Sequence, residues 1–131
     1  TLDRSSAASD VYKRQSEIPT DAKVFLPPGH ALHVQTRDVR TALDELWNHD
    51  VRTLLVEGGS QVAAAFLRAG VVDEVQYYAA PAMLGAGVAS LRDGTNILGR
   101  TMGDIRRFVP RELQVFGNDV RWTMTAPGHT P

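Results

Sequence analysis

The residues in this sequence best placed to bind a ligand are Glu57-Gly58-Gly59-Ser60, which lie between a short apolar run and a helical pattern. Glycines let the backbone approach a ligand closely because no Cβ is in the way. The first N–H groups of a helix, together with its dipole, favour an anion at that end. This pattern predicts a phosphate-binding turn. A tight turn with Ser60 as the helix N-cap explains the same residues, and the motif is neither GxGxxG nor a P-loop.

Glu57 needs a separate explanation because its carboxylate follows the apolar run directly. A carboxylate buried without a hydrogen-bond partner would be costly, so the side chain either faces solvent or accepts hydrogen bonds from a ligand. A substrate with amino or ring N–H groups would satisfy it. The sequence alone leaves both interpretations open.

Other site chemistries receive little support. The chain has no cysteine, which excludes disulfides, thiolate catalysis and cysteine-ligated metals. Its four histidines, His30, His33, His49 and His129, show no metal-ligand spacing, so we predict no metal site. No serine lies in a GxSxG motif, so a Ser/His/Asp triad has no identifiable nucleophile.

Charge and hydropathy narrow the class of partners. The 131 residues carry 14 Lys+Arg and 15 Asp+Glu, for a formal net charge of -1, so no overall basic field attracts nucleic acid or an anionic membrane. No apolar run approaches the roughly 18 residues of a membrane span, and the first residues lack a secretory signal. We therefore predict a cytoplasmic protein without nucleic acid or membrane partners.

Two helices and a strand are predicted around the Glu57 turn. Asp38 or Thr36 can cap a first helix. Its apolar residues have helical spacing and should form one buried face, made of Val39, Ala42, Leu43, Leu46 and Trp47. Residues 52–56, RTLLV, predict a central parallel strand buried on both faces. After the turn, a second helix should direct Val62, Ala65, Phe66 and Ala69 inward and end at Gly70.

Strands dominate the prediction for the rest of the chain. Residues 75–80 predict a strand joined to 52–56 by a right-handed crossover in one parallel sheet. Two alternating runs, 113–116 and 120–125, flank Gly117-Asn118-Asp119, which indicates an antiparallel hairpin. The resulting fold class is α/β with a mixed sheet.

The chain divides into three segments by composition. Residues 1–22 are polar, serine-rich and without periodicity, which indicates a disordered or foreign segment; a native linker is the alternative. Residues 23–126 carry the regular patterns, beginning with a short strand at Lys23 that ends at Pro27-Pro28-Gly29. Residues 127–131 are predicted to be a flexible tail.

The run LLVEGGSQVAAAFLRAGVVDEVQYYAAPAMLGAG closely resembles the reductase domain of the riboflavin-biosynthesis deaminase/reductase family. EGG, the AFL-AG helix, the VDE turn and AP-x-x-LG-x-G occur in order at the spacing typical of that domain. The resemblance implies a dihydrofolate-reductase-like fold: three αβα layers around a mostly parallel mixed sheet with a C-terminal antiparallel hairpin. It also implies NADPH-dependent reduction of 5-amino-6-(5-phosphoribosylamino)uracil to its ribitylamino form.

The same resemblance assigns functional residues. Glu57 corresponds to a substrate-contacting carboxylate. The matching cofactor-phosphate segment follows it and comprises Gly58, Gly59, Ser60, Gln61, Val62, Ala63, Ala64 and Ala65.

The front of the family domain, with its substrate-phosphate ligands, has no counterpart in this sequence, and neither does the zinc-containing deaminase domain. We therefore expect an N-terminally incomplete reductase domain with impaired activity. Its exposed strand edges would favour association into a homodimer. Two alternatives remain: a related reductase with another substrate, and a non-catalytic nucleotide-binding or assembly fragment. In the reductase, the protein mainly binds and orients the reactants, which explains why no catalytic cluster is visible.

Overall fold

The computed structural model of the protein describes residues 31–83, 85–87, 89–92, 94 and 101–129. The chain divides into two compact units, Thr1–Arg52 and Thr53–Pro131, which are described separately. The polar segment at residues 1–22 and the strand expected from Lys23 lie outside the described residues, so both stay predictions.

The first unit contains helix α1, Val39–Asn48, as its apolar periodicity predicts. Asp38 is the N-cap: its Oδ1 accepts from the Thr41 backbone N–H at 2.8 Å and from the Thr41 hydroxyl at 2.9 Å. Thr36, the other predicted cap, instead accepts from the Asp38 backbone N–H at 3.1 Å. Both predicted residues therefore organise this helix end, with Asp38 nearer the helix.

The prediction that Trp47, at the C-terminal end of α1, belongs to the core is wrong. Trp47 is 60% exposed, and the Arg52 guanidinium lies 3.9 Å from its ring centroid. Arg52 also donates to the Trp47 carbonyl and pairs with Asp50 Oδ1, each at 2.8 Å. Asp50 has φ 62°, a left-handed conformation that short polar side chains tolerate. The indole therefore stacks against a cation at the surface rather than packing inside.

The second unit begins with helix α2, Ser60–Ala69, which ends at Gly70 with φ 68°, as predicted. Two details differ from the prediction. Gly59, not Ser60, is the N-cap, and no side chain caps this end. Ala64 is the fully buried residue of the helix, whereas Val62 is 44% exposed. Because neither helix reaches the length and apolarity of a membrane span, no such span exists within the described residues.

Three antiparallel strands form the sheet of this unit: β1, Glu74–Ala79; β2, Val109–Phe116; and β3, Asp119–Thr125. The strand order is β1-β3-β2, so the chain's last strand lies in the centre. A 3-10 helix, Met102–Asp104, precedes β2 and is closed by a capping box between Thr101 and Asp104.

The predicted hairpin is confirmed. Phe116 pairs with Asp119, which leaves Gly117 and Asn118 as a two-residue loop. Gly117 has φ 60° and Asn118 does not have a positive φ, a combination that matches a type II′ turn. A register shift between Pro110 and Glu112 places a bulge in β2, so this end of the hairpin is irregular.

The strand expected at residues 52–56 is absent from the structure. These residues have no regular secondary structure, and the Leu55 side chain is 77% exposed. The crossover from this segment to β1 in a parallel sheet is therefore not formed, and every strand pairing among the described residues is antiparallel. An apolar run becomes a buried parallel strand only when a neighbouring strand accepts its backbone hydrogen bonds. Among the described residues no strand pairs with 52–56, although one edge of β1 is open.

Residues beyond β3 are held against the beginnings of β1 and β2. Arg111 donates Nε to the buried Thr125 hydroxyl at 2.8 Å and Nη2 to the His129 carbonyl at 3.0 Å. The Ala126 N–H donates to the Asp73 carbonyl at 2.7 Å. His129 Nδ1 lies 3.7 Å from Asp73 Oδ1. These contacts keep the chain near the sheet as far as His129.

Candidate functional site

The two glycines before α2 have different surroundings. A Cβ on Gly58 would lie 2.7 Å from Val62 Cβ and 2.7 Å from its Cγ1, so the absence of a side chain permits this close packing. A Cβ on Gly59 would have nothing within 4 Å. Gly59 also has an ordinary extended conformation, φ -65° and ψ 176°, which any residue adopts. Open space at Gly59 therefore leaves the backbone accessible to a ligand.

Backbone N–H groups at the start of α2 are available to such a ligand. The Gly59 carbonyl accepts from the Val62 N–H at 3.0 Å and the Ala63 N–H at 3.1 Å. For the Ser60 and Gln61 N–H groups, no acceptor exists among the described residues, and the N-cap has no side chain to supply one. Two free donors at the positive end of a ten-residue helix suit an anion such as phosphate.

Glu57 lies immediately before these glycines and is exposed. Among the described residues, no hydrogen bond or ion pair engages its carboxylate. Both interpretations from the sequence, a solvent-facing side chain and one that accepts hydrogen bonds from a ligand, are compatible with this exposed position. The side chain is solvated and free to accept hydrogen bonds.

The remaining predicted cofactor-binding residues lie on the first turns of α2. Gln61 and Val62 are exposed and Ala63 and Ala65 are half-buried, whereas Ala64 has no accessible surface. The side chain of Ala64 therefore cannot touch a ligand and fills the interior instead. Direct contact between a side chain and a ligand is therefore possible only at the other positions of this segment.

Arg92 lies near the site, although no pattern in the sequence indicates this. Its backbone N–H donates to the Ser60 carbonyl at 3.1 Å, which joins the loop after β1 to the first residue of α2. The two positions are 32 apart in the sequence, and no motif or periodicity spans that distance. Only the folded loop brings this arginine to the beginning of the helix.

A second polar cluster lies on the sheet, away from the glycines in sequence. Arg121 Nη2 donates to Glu112 Oε2 at 3.1 Å and to Gln114 Oε1 at 2.7 Å, and its guanidinium lies 5.2 Å from the Phe116 ring centroid. Hydrogen bonding with Tyr78, followed by that with Glu112, raises the pKa of Arg121 above its ordinary value. The arginine is therefore a fixed cation that ties together side chains of three strands.

Neither cluster resembles a metal centre. In the part of the chain that the structure describes, no group of three or more His, Asp or Glu side chains could hold a metal ion. The chemistry available at the Gly59 turn is anion binding by backbone donors next to a free carboxylate.

The elements follow in the order helix, Gly-Gly turn, helix, strand and antiparallel hairpin, which defines an α/β protein. Its second helix has free backbone N–H groups at the N-terminus, among the described residues. Residues 4–121 match the family described as the RibD C-terminal domain. Because this match covers most of the chain, the protein belongs to the RibD C-terminal domain family.

Curated relatives and solved structures agree with the assignment. The Bacillus amyloliquefaciens riboflavin biosynthesis protein RibD is 29% identical over 119 residues, 90% of this chain and 30% of that protein. Its Escherichia coli K12 counterpart is 30% identical over 104 residues, 79% of this chain and 27% of that protein. The chain thus spans less than a third of their length. An Acinetobacter baumannii RibD structure superposes with a TM-score of 0.62 at 23% identity, covering 82% of this chain and 34% of that one.

Proposed function

We propose that this chain is the nucleotide-binding part of an NADPH-dependent reductase that converts 5-amino-6-(5-phosphoribosylamino)uracil to its ribitylamino form in riboflavin biosynthesis. The observation that carries the proposal is the Gly59 turn within a chain of the RibD C-terminal domain family. When bound, NADPH supplies the hydride. The residues of this chain hold its phosphates and orient it toward the sugar.

The turn fits a dinucleotide phosphate group on structural grounds. Space beside Gly59 is open where a Cβ would lie, and the Ser60 and Gln61 N–H groups have no acceptor among the described residues. A phosphate there would accept hydrogen bonds from both N–H groups and interact favourably with the α2 dipole. Arg92, whose backbone is bonded to Ser60, brings a positive side chain to the same loop.

Glu57 supports the choice of substrate. Its free carboxylate precedes the glycines directly, so a substrate held beside the nicotinamide ring would meet it. An aminouracil presents amino and ring N–H donors, which a carboxylate accepts. We assign Glu57 to substrate binding, with the phosphate-binding turn kept for the cofactor.

The complete three-layer architecture is part of the proposal. One edge of β1 is unpaired within the described residues, because the strand order places β3 on its other side. The apolar run at 52–56 precedes α2, so its addition parallel to that edge would make a right-handed β-α-β unit. In that arrangement the Glu57 turn would lie at the carboxyl end of a central strand, where open α/β sheets bind ligands.

Activity of the 131 residues alone is expected to be impaired. The chain spans about 30% of its Bacillus relative, and orientation catalysis requires both reactants to be held together. We expect the chain to bind NADPH but to oxidise it far more slowly with the aminouracil than the full-length Escherichia coli relative does.

The test is a fluorescence titration of the chain with NADPH, followed by measurement of NADPH oxidation with the aminouracil present. Saturable binding together with slow oxidation supports the proposal. Binding with no oxidation at all, even after the chain is mixed with the remaining part of a relative, would favour the non-catalytic nucleotide-binding fragment. Absence of NADPH binding would refute the assignment of the turn.

A further inference from the structure

Arg92 is attached through its backbone to the first residue of α2. Its N–H donates to the Ser60 carbonyl at 3.1 Å, while the Ser60 N–H has no acceptor among the described residues. Because both groups belong to Ser60, the Arg92 backbone lies beside the first turn of the helix, next to the free N–H groups of Ser60 and Gln61. This hydrogen bond holds Arg92 in place without using its side chain.

The side chain of Arg92 is free to bind a ligand. It is exposed, and among the described residues no hydrogen bond, ion pair or ring contact engages its guanidinium. Arg111 and Arg121, by contrast, are each fixed by two hydrogen bonds to neighbouring residues. An arginine that is held by its backbone while its forked N–H donors stay unused is suited to bind an anion.

The charge balance at the turn favours such a cation when a nucleotide binds. The exposed Glu57 carboxylate lies three positions before Ser60 and repels an anion held at the helix end. The free N–H groups and the helix dipole together supply only about half of a positive charge. A diphosphate carries more negative charge than that. The guanidinium of Arg92 adds a full positive charge, at roughly 6 Å from its own Cα when the side chain is extended.

We propose that Arg92 binds the second phosphate of a dinucleotide, so that this site selects a diphosphate over a monophosphate. The inference rests on the proposed function and adds a specificity-determining residue to its cofactor site. The Ser60 and Gln61 N–H groups hold one phosphate, and the Arg92 side chain binds the phosphate next to it. Guanidinium and phosphate match in shape, because two parallel N–H donors meet two phosphate oxygens.

This arrangement makes the site sensitive to the number of adjacent phosphates. A monophosphate binds the helix donors and leaves the Arg92 side chain unused. A diphosphate engages the helix and the loop after β1 together, because Ser60 and Arg92 belong to these two segments. The charged hydrogen bonds from the arginine therefore strengthen the binding of the diphosphate alone.

The test is a calorimetric titration of the full chain with ADP and, separately, with AMP, which differ by one phosphate. Arg92→Gln removes the charge and keeps the backbone N–H that bonds Ser60. We expect this variant to bind ADP at least tenfold more weakly, which corresponds to about 1.4 kcal/mol, and AMP less than about threefold more weakly. The melting temperature should stay nearly unchanged, because the substituted side chain is exposed.

Arg106→Gln is the matched control. Arg106 is also exposed, but it follows the 3-10 helix and is not bonded to the start of α2, so its loss should leave both affinities near those of the wild type. Arg92→Lys is a second variant of the proposed ligand, and it replaces Arg92→Gln if the latter fails to fold. It keeps the charge but loses the forked donors, so its ADP affinity should lie between those of wild type and Arg92→Gln.

Equal losses of ADP and AMP affinity in Arg92→Gln would overturn the proposal, because the arginine would then bind the same phosphate as the helix. So would a wild-type chain that binds ADP no more tightly than AMP, or an equal loss in Arg106→Gln. Titration with NADPH separates this inference from the proposed function. If NADPH binds wild type and Arg92→Gln equally well, the reductase assignment stands and the role of Arg92 is wrong. If ADP binding depends on Arg92 but NADPH does not bind, the diphosphate site stands and the reductase assignment is wrong.

Discussion

Gly58 packs directly against Val62, so that a Cβ on Gly58 would lie 2.7 Å from the Val62 Cβ, whereas the neighbouring Gly59 faces open space. Adjacent glycines in one turn therefore have separate roles. Gly58 allows the chain to pass the first turn of α2, and Gly59 leaves the helix N-terminus accessible. This difference makes the proposed nucleotide site testable without disrupting the fold.

Gly59→Val should weaken NADPH binding at least tenfold, about 1.4 kcal/mol, while the melting temperature stays nearly unchanged. The valine fits because Gly59 has an ordinary backbone conformation and no neighbour within 4 Å. Its side chain would occupy the space we assign to the phosphate. Fluorescence titration with NADPH measures the effect. Unaltered affinity in a folded Gly59→Val chain would contradict the site.

Gly58→Ala is the matched control for that experiment. Its new methyl group would collide with the branched side chain of Val62, which cannot move aside without a shift of α2. We expect a loss of about 1–3 kcal/mol of unfolding free energy. Urea denaturation followed by circular dichroism provides the measurement, and an unchanged midpoint would show that the turn relaxes freely.

Glu57→Gln should reduce affinity for the aminouracil by about ten- to hundredfold, since a charged hydrogen bond contributes about 1.5–3 kcal/mol. Stability should be unaffected, because the carboxylate is exposed and has no partner among the described residues. Calorimetric titration with NADPH present measures the affinity. Glu74→Gln is the control, since Glu74 already accepts from Gln76. A large loss of stability with normal binding would make Glu57 structural.

Asp38 gives the first helix a pH dependence. Hydrogen bonds from the Thr41 backbone and then from its hydroxyl lower the Asp38 pKa below the ordinary 3.8. A carboxyl whose pKa is lower in the folded state stabilises that state above its unfolded pKa, and this contribution disappears as the pH falls through the folded value. The Thr41 amide proton shift should therefore titrate below pH 3.8.

Asp38→Asn should abolish that transition while leaving α1 folded, since an asparagine oxygen also caps a helix. A Thr41 titration that persists in Asp38→Asn would assign the effect to another group.

Gly117→Ala should destabilise the hairpin by about 1 kcal/mol, because an alanine is strained at the positive φ of this turn position. Nothing lies within 4 Å of the added Cβ, so the loss would come from the backbone and not from a collision. Thermal unfolding of the chain measures the effect. Gly59→Ala, at a negative φ, is the control and should be neutral; equal losses in both would contradict the backbone explanation.

Local patterns in the sequence were enough to predict α1, α2 and the hairpin. Asp38 caps a helix through its own near neighbours, Gly70 ends one in a left-handed conformation, and Gly117 supports a two-residue loop. Each of these features depends on residues within a few positions of one another. The Glu57-Gly58-Gly59-Ser60 motif was recognisable for the same reason.

Only the tertiary structure decided how the strands pair and which side chains are buried. β1 pairs with β3, whereas no described strand pairs with residues 52–56, and both outcomes depend on groups far apart in sequence. Trp47 has a core-facing position by periodicity but stacks on Arg52 at the surface, and Ala64, not Val62, is buried. Arg92 reaches Ser60 only through a folded loop. Burial and long-range pairing depend on which surfaces the rest of the chain leaves available, which a local pattern does not encode.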